Sequence, residues 1–239
     1  MLDLWMLVNK HRGQKAIVCG TGPSLGKLAD RSIEPSVISI VCNDAIDVVP
    51  DAAYFHCSDC RTLVRPFWNT LRHAVAHVVL PRIERDAAHR GHNYWFVDHI
   101  HDLKISDQRL VWYNVGRSDS TALTTPEYPV PYHYDSALAG VAIAHVLGCS
   151  PIFVLGVDLC IKEDKGHYYD DAAMLKLLGK VPTSMSAWRE EENRLWLRAA
   201  DRWRDIMAAN PCIDIRDLSD GRLTQSGICP AGNARDVLS

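Results

Sequence analysis

The stretch Lys15-Ala16-Ile17-Val18-Cys19-Gly20-Thr21-Gly22-Pro23-Ser24-Leu25 constrains this chain more than any other. Ile17 and Val18 are β-branched and Cys19 favours burial, so the run reads as a central strand. It leads straight into Gly20 and Gly22, which let the backbone turn sharply and approach a ligand closely. Pro23 and Ser24 suit the first turn of a helix, whose unpaired N–H groups attract anions. Gly20–Leu25 is thus a candidate nucleotide-phosphate cradle. The third glycine of the dinucleotide fingerprint is missing, because Gly26 comes too early, and no Gly-Lys-Ser/Thr follows to make a Walker loop. On spacing alone, a purely structural strand-to-helix turn stays equally open.

Further strands follow at Ser36–Cys42, Asp51–Asp59, Ala76–Leu80, Leu110–Val115, Pro151–Leu159 and Ile213–Ile215. A helix is expected from about Arg61 to Ala74. Tyr134–Cys149 reads as a nearly all-apolar helix, capped by Asp135 or Ser136 and stopped by Gly148. Ser186–Ala209 reads as a long amphipathic helix with Trp188, Leu195, Ala199, Trp203 and Ile206 near one packing face. Strands alternating with helices predict an α/β fold, a Rossmann-like three-layer sandwich with a mainly parallel sheet. The expected organisation is a single Rossmann-like nucleotide-binding domain over 1–239, with the helical segment of about 186–209 packed on it. Met1–Val8 is expected as a short helix, 116–131 as an ordered loop or lid, 175–182 as the end of a mobile insertion, and the tail to Ser239 as poorly ordered.

In such sheets ligands bind beyond the carboxyl ends of strands. Asn43 falls there, where its amide could read a ribose or base edge or merely cap a helix. Ser58-Asp59 closes the third strand, and Asp59 could serve chemistry or act as an N-cap. Arg61 and Arg65 stand one turn apart and could reach a phosphate or face solvent.

A formal charge of −3 argues against a broad nucleic-acid surface. The first eight residues are too short for a membrane span or signal peptide and carry Asp3, so a cytoplasmic location is expected. The eight cysteines sit mostly in apolar runs and read as free buried thiols of a reducing compartment. Cys57-Ser58-Asp59-Cys60 lacks the second pair that a zinc site needs. His89, His92, His99 and His101 cluster, but His99 and His101 alternate about Ile100 as on a strand, and no metal site is expected.

Gly20-Thr21-Gly22-Pro23-Ser24-Leu25 resembles the Gly-x-Gly-Pro-Ser-Leu opening of a superfamily with three branches. These are the family 42 bacterial sialyltransferases, the flagellar motility accessory factor domain and the archaeal 6-hydroxymethylpterin pyrophosphokinases. A second block, the apolar helix with Leu147-Gly148-Cys149 followed by Ile152–Asp158, resembles the shared second half, so that the matches cover about half the chain in order. The resemblance implies nucleotide contacts at Asn43 and Ser136. It also implies a Gly-x-Asp strand end at Asp158 and a donor-pocket loop with lining aromatics at Lys165–Asp170. Two departures stand out: Cys160 replaces a pocket tyrosine, and no histidine follows His167 where family 42 has its catalytic one.

The expected function is a nucleotide-binding transferase, above all a glycosyltransferase using a CMP-type activated sugar. Gly20, Thr21, Gly22, Pro23, Ser24, Asn43 and Ser136 would bind the nucleotide. His167 or Asp59 would take the acceptor's proton, and Asp158 would stabilise positive charge. The expected partners are a nucleotide or nucleotide-sugar and an acceptor of unassigned identity, with homo-oligomerisation left open. One alternative is a pyrophosphokinase, with Asp59 and Asp158 holding Mg²⁺. The other is a non-catalytic nucleotide-binding or interaction module.

Overall fold

Ala16 and Val18 pack on one side of their strand and Ile17 and Cys19 on the other, and all four are fully buried. This is what a strand in the middle of a two-sided parallel sheet requires. The computed structural model describes residues 2–82, 96–115, 120–124, 135–162, 164–169, 171–177 and 184–239. Within them the strands are β1 (Leu2–Asp3), β2 (Ala16–Cys19), β3 (Ile38–Cys42), β4 (Tyr54–His56), β5 (His77–Arg82), β6 (Leu110–Asn114), β7 (Ile152–Leu155) and β8 (Ile215–Asp217). They form one sheet in the order β1-β6-β5-β4-β3-β2-β7-β8, and every pairing is parallel. Val18 lies in register between Ile40 and Val154.

The strand order places the site. From β2 to β6 the sheet grows in one direction, and the chain then crosses back to set β7 against the free side of β2. The direction of growth thus switches between β2 and β7, and open parallel sheets bind ligands beyond the carboxyl ends of strands at such a switch.

The helices are α1 (Phe67–His73), α2 (Ile100–Leu103), α3 (Ser136–Val146), α4 (Asp171–Leu177), α5 (Met185–Ala209) and α6 (Arg222–Gln225). On one face of the sheet, α3 and the inner side of α5 pack over Val18, Ile40 and Val154. On the other, α1 and the 3₁₀ segments Pro23–Leu28 and Asn43–Asp47 cover Ile17, Val41 and Phe55. The result is three layers, as the alternation of elements predicts. Helix α3 is buried on nearly all sides, which explains why its sequence shows no amphipathic stripe. Its Gly140 is required by contact: a Cβ there would lie 2.7 Å from Val18 Cγ1. Asp135 caps α3 by accepting from the Ala137 N–H at 2.8 Å, and it accepts from Trp203 Nε1 of α5 at 2.5 Å.

Several expectations are corrected. The helix expected from Arg61 to Ala74 is a 3₁₀ turn over Cys60–Val64 followed by α1, because Pro66 interrupts the amide ladder. His99 ends a 3₁₀ turn and His101 lies in α2, so they do not alternate on a strand. The first residues form an edge strand, β1, before their 3₁₀ turn Leu4–Leu7. The tail is not loose: Val237 is fully buried, Leu238 bridges to Ile33, and Glu34 N donates to Val237 O at 2.9 Å. His89, His92, Tyr134 and Asp170 lie outside the described residues, as do most of 116–131 and residues 178–182. The described part of that first segment is anchored: Leu123 is buried, and Asn210 Nδ2 donates to Thr121 O at 2.9 Å. Of the described residues, no helix is long and apolar enough to cross a membrane, and no three His, Cys, Asp or Glu side chains converge as metal ligands would.

Candidate functional site

The glycine turn after β2 meets a second turn after β7, and the two touch through their backbones. A Cβ on Gly20 would lie 2.4 Å from the Gly156 oxygen, and one on Gly156 would lie 2.4 Å from the Gly20 oxygen. A Cβ on Gly22 would lie 2.3 Å from Asp158 Oδ2. These glycines are dictated by the packing of turn on turn as much as by any ligand. Leu159 closes the second turn at φ +50, a strained conformation for a branched side chain, and it lines the cavity described below.

The N–H groups of Gly20, Gly22 and Ser24 have partners inside the protein. Gly20 N donates to Leu155 O and Gly22 N to Gly156 O, both at 2.8 Å. Ser24 donates to Asp158 Oδ2 twice, from its N at 3.0 Å and its Oγ at 2.8 Å, and its Oγ accepts from Gly156 N at 3.0 Å. Asp158 thus occupies the helix start where an external anion was expected. Its Oδ1 lies 2.6 Å from Lys162 Nζ, which also donates to Ser219 O at 2.6 Å. Asp158 is 2% exposed, so this knot holds the two turns together in a site of low dielectric.

Between the turns, the start of α3 and the flank of α5 lies a cavity of about 740 Å³. That volume falls within the range of small-molecule sites. Of the sequence-predicted residues, Gly20, Thr21, Gly22, Asn43, Ser136, Asp158 and His167 line it. Pro23, Ser24 and Asp59 are not among the lining residues. The Asp59 carbonyl instead accepts from Thr62 Oγ1 at 2.7 Å. Arg65 does not face solvent: it is buried 2.5 Å from Asp44 Oδ2, with its guanidinium 5.0 Å from the Tyr169 ring centroid.

Asn43 opens its 3₁₀ segment at φ +53, a left-handed conformation that asparagine tolerates well, and Cys42 rather than Asn43 is the cap residue. Its Nδ2 is 3.4 Å from Ser136 Oγ. Ser136 Oγ is 3.2 Å from Ser58 Oγ, and Ser58 Oγ is 3.0 Å from His56 Nε2. Burial lowers the pKa of His56 to about 4, against the weaker opposing effect of its bond to the Val79 carbonyl.

His167 stands on the cavity wall with a partner that the linear reading missed. Its Nδ1 is 2.5 Å from Asp171 Oδ1, while Asp171 Oδ2 accepts from Gly166 N at 2.9 Å. Burial pushes the Asp171 carboxyl up, but the His167 and Gly166 hydrogen bonds outweigh it and hold it below the usual carboxylate range. Tyr169 stacks on the His167 ring at 4.7 Å between centroids, and Trp196 meets it edge-on at 6.0 Å. Tyr168 ties the loop down, its N–H donating to Thr21 O at 3.0 Å and its hydroxyl to Asp44 O at 2.6 Å. The aromatic pair therefore supports His167 and is not itself among the cavity-lining residues. Helix α5 lines the cavity with Glu192, Leu195, Trp196, Arg198, Ala199 and Arg202. Asp171 could have been found from its i+4 spacing to His167, and Arg198 and Arg202 from theirs on one helix face. His56 and Ser58 gave only the weak signal of two polar residues alternating at a strand end.

No protein-family model matches the chain, and no curated protein sequence matches it. Among solved structures, the sialyltransferase CstII from Campylobacter jejuni in complex with the substrate analogue CMP-3FNeuAc superimposes with a TM-score of 0.50. It is 12% identical, over 92% of this chain and 87% of that one. CstII with cytidine-5′-monophosphate gives a TM-score of 0.48 at 12% identity, over 93% and 86%. The MAf glycosyltransferase from Magnetospirillum magneticum AMB-1 gives 0.34 at 15%, over 91% of this chain and 35% of that one. The α/β fold described above is similar to that of the Campylobacter jejuni sialyltransferase CstII.

Proposed function

We propose that this chain is a glycosyltransferase that uses a nucleotide-activated sugar of the CMP type. The observation that carries the proposal is the His167–Asp171 pair on the wall of a cavity that also exposes Asn43 and Ser136. A carboxylate bonded to Nδ1 makes that nitrogen the donor and leaves Nε2 of a neutral imidazole free to accept a proton. CstII, whose fold resembles this one, was solved in complex with the substrate analogue CMP-3FNeuAc, which supports the choice of nucleotide.

In this reading Asn43 and Ser136 hold the nucleoside, beside the backbone of Gly20–Gly22. Arg198 and Arg202 offer positive charge to its phosphate. An acceptor hydroxyl gives its proton to His167 Nε2 while its oxygen attacks the anomeric carbon. The bond from that carbon to the phosphate oxygen breaks, and the nucleoside monophosphate leaves with the electron pair. Asp171 then balances the charge on the imidazolium. Asp158 acts as a brace in this scheme, because both its oxygens are already engaged by Ser24 and Lys162.

The test is a thermal-shift panel of CMP, UDP, GDP and ATP with and without Mg²⁺, followed by CMP release from CMP-sugars. Ligand at a hundred times its Kd adds about 2.7 kcal/mol of stability. A Mg²⁺-independent response to CMP, with CMP release that falls about 10²–10⁴-fold in His167→Gln, is expected. A response confined to ATP with Mg²⁺ would replace this reading by the pyrophosphokinase.

A further inference from the structure

Ser136 presents to the cavity a hydroxyl whose hydrogen is already committed, and the commitment begins at His56. His56 is fully buried at the end of β4, with Nδ1 3.0 Å from the Val79 carbonyl oxygen. A carbonyl oxygen only accepts, so Nδ1 carries the hydrogen, and Nε2 of the uncharged ring is a bare acceptor. Nε2 is 3.0 Å from Ser58 Oγ, so Ser58 donates to it. Ser58 has one hydrogen. In its 3.2 Å contact with Ser136 Oγ, Ser58 must therefore accept and Ser136 donate. Ser136 in turn accepts from Asn43 Nδ2 at 3.4 Å. Each direction follows from the one before it, and the first is set by a backbone carbonyl that cannot change roles.

We propose that this relay makes Ser58 a specificity-determining residue that never touches the ligand: it locks Ser136 as a hydrogen-bond acceptor toward the cavity. The group that meets Ser136 Oγ must then bring its own hydrogen, as a sugar hydroxyl or an amino group does. A carbonyl, fluorine or phosphate oxygen there would face a lone pair. The inference rests on the nucleotide-binding reading for its ligand and on the relay alone for its polarity.

The experiment measures affinity for CMP and for three analogues that replace a donor by an acceptor: UMP, whose N3 also turns from acceptor to donor, 2′-fluoro-2′-deoxy-CMP and 3′-fluoro-3′-deoxy-CMP. Wild type is expected to bind one of the three at least about tenfold more weakly than CMP, equivalent to 1.4 kcal/mol. The affected analogue tells a cytosine amine from a ribose hydroxyl as the group at Ser136. Ser58→Ala frees the Ser136 hydrogen, so that ratio should shrink to about threefold or less. Ser58→Thr keeps a hydroxyl and should restore it. An unchanged ratio in Ser58→Ala, or no discrimination by wild type, overturns the relay. The ¹⁵N shifts of His56 in the unliganded wild-type protein provide an independent readout. The Nδ1–H tautomer is expected; an Nε2–H tautomer would make His56 donate to Ser58, release the Ser58 and Ser136 hydrogens from their fixed directions and overturn the proposal. Failure of wild type to bind CMP would defeat the nucleotide reading, while the tautomer would still decide the relay.

Discussion

The buried imidazole of His56 should make stability depend on pH in a way that one substitution can isolate. In the unfolded chain this ring titrates near the ordinary value of about 6.5. In the fold, burial lowers that value to about 4. Between those two pH values the unfolded state binds a proton that the native state refuses, so stability rises with pH. The contribution is fully present above about 6.5 and is lost as pH falls, until both states are protonated below about 4. Integrating over the two values gives a loss of about 2 kcal/mol between pH 7 and pH 5. Burial also lowers the pKa of His11, His77 and His145, so the wild-type curve alone would mix several sites. The comparison is therefore with His56→Asn, whose amide nitrogen stands where Nδ1 does and can still donate to the Val79 carbonyl. Urea unfolding at pH 5, 6 and 7 should show wild type losing about 2 kcal/mol more than His56→Asn over that range, with equal denaturant slopes. Parallel curves would mean that His56 exchanges protons equally well in both states, and the reasoning from its burial would be wrong.

Asp171→Asn should lower kcat of the proposed transferase by about 10²-fold or more with little change in KM, since it removes the group that sets the His167 tautomer; an unchanged kcat would remove His167 from the role of base. Gly22→Ala should destabilise the fold by about 2 kcal/mol or more, because its Cβ would lie 2.3 Å from Asp158 Oδ2 and 2.9 Å from the Gly156 oxygen; a wild-type melting temperature would refute the close approach of the two turns. Asp158→Asn leaves the Lys162 ammonium without its buried partner and should cost about 3 kcal/mol or more in chemical denaturation. Val237→Ala should cost about 2 kcal/mol, although it lies two residues from the C-terminal residue, because its side chain is fully buried.

The strands, the parallel sheet and the glycine turn could be read from the sequence because they rest on local pattern. Ile17-Val18-Cys19 and Ile152–Leu155 are short apolar runs bounded by glycine, and no partner is needed to recognise them. The same holds for α3, where a nearly all-apolar run of helical length between Asp135 and Gly148 states its own burial. Pro66 shows the limit of pattern, since a single ring interrupted a helix whose apolar positions otherwise fit. The tail shows another: Val237 and Leu238 look like a frayed end until the Ile33 segment is brought beside them. Within the site, the sequence carries residue identity but no direction of hydrogen bonding. Ser24 reads as a phosphate ligand by its place at a helix start, and only the arrival of Asp158, 134 residues later, shows which carboxylate takes that place. His56, Ser58, Ser136 and Asn43 come from three segments, and a relay among them exists only because β3, β4 and the start of α3 end at the same rim of the sheet. Local pattern determined which segments become strands and helices, because those preferences act over a few residues. Tertiary structure decided which polar groups are partners, because a hydrogen bond is set by distances that sequence separation does not contain.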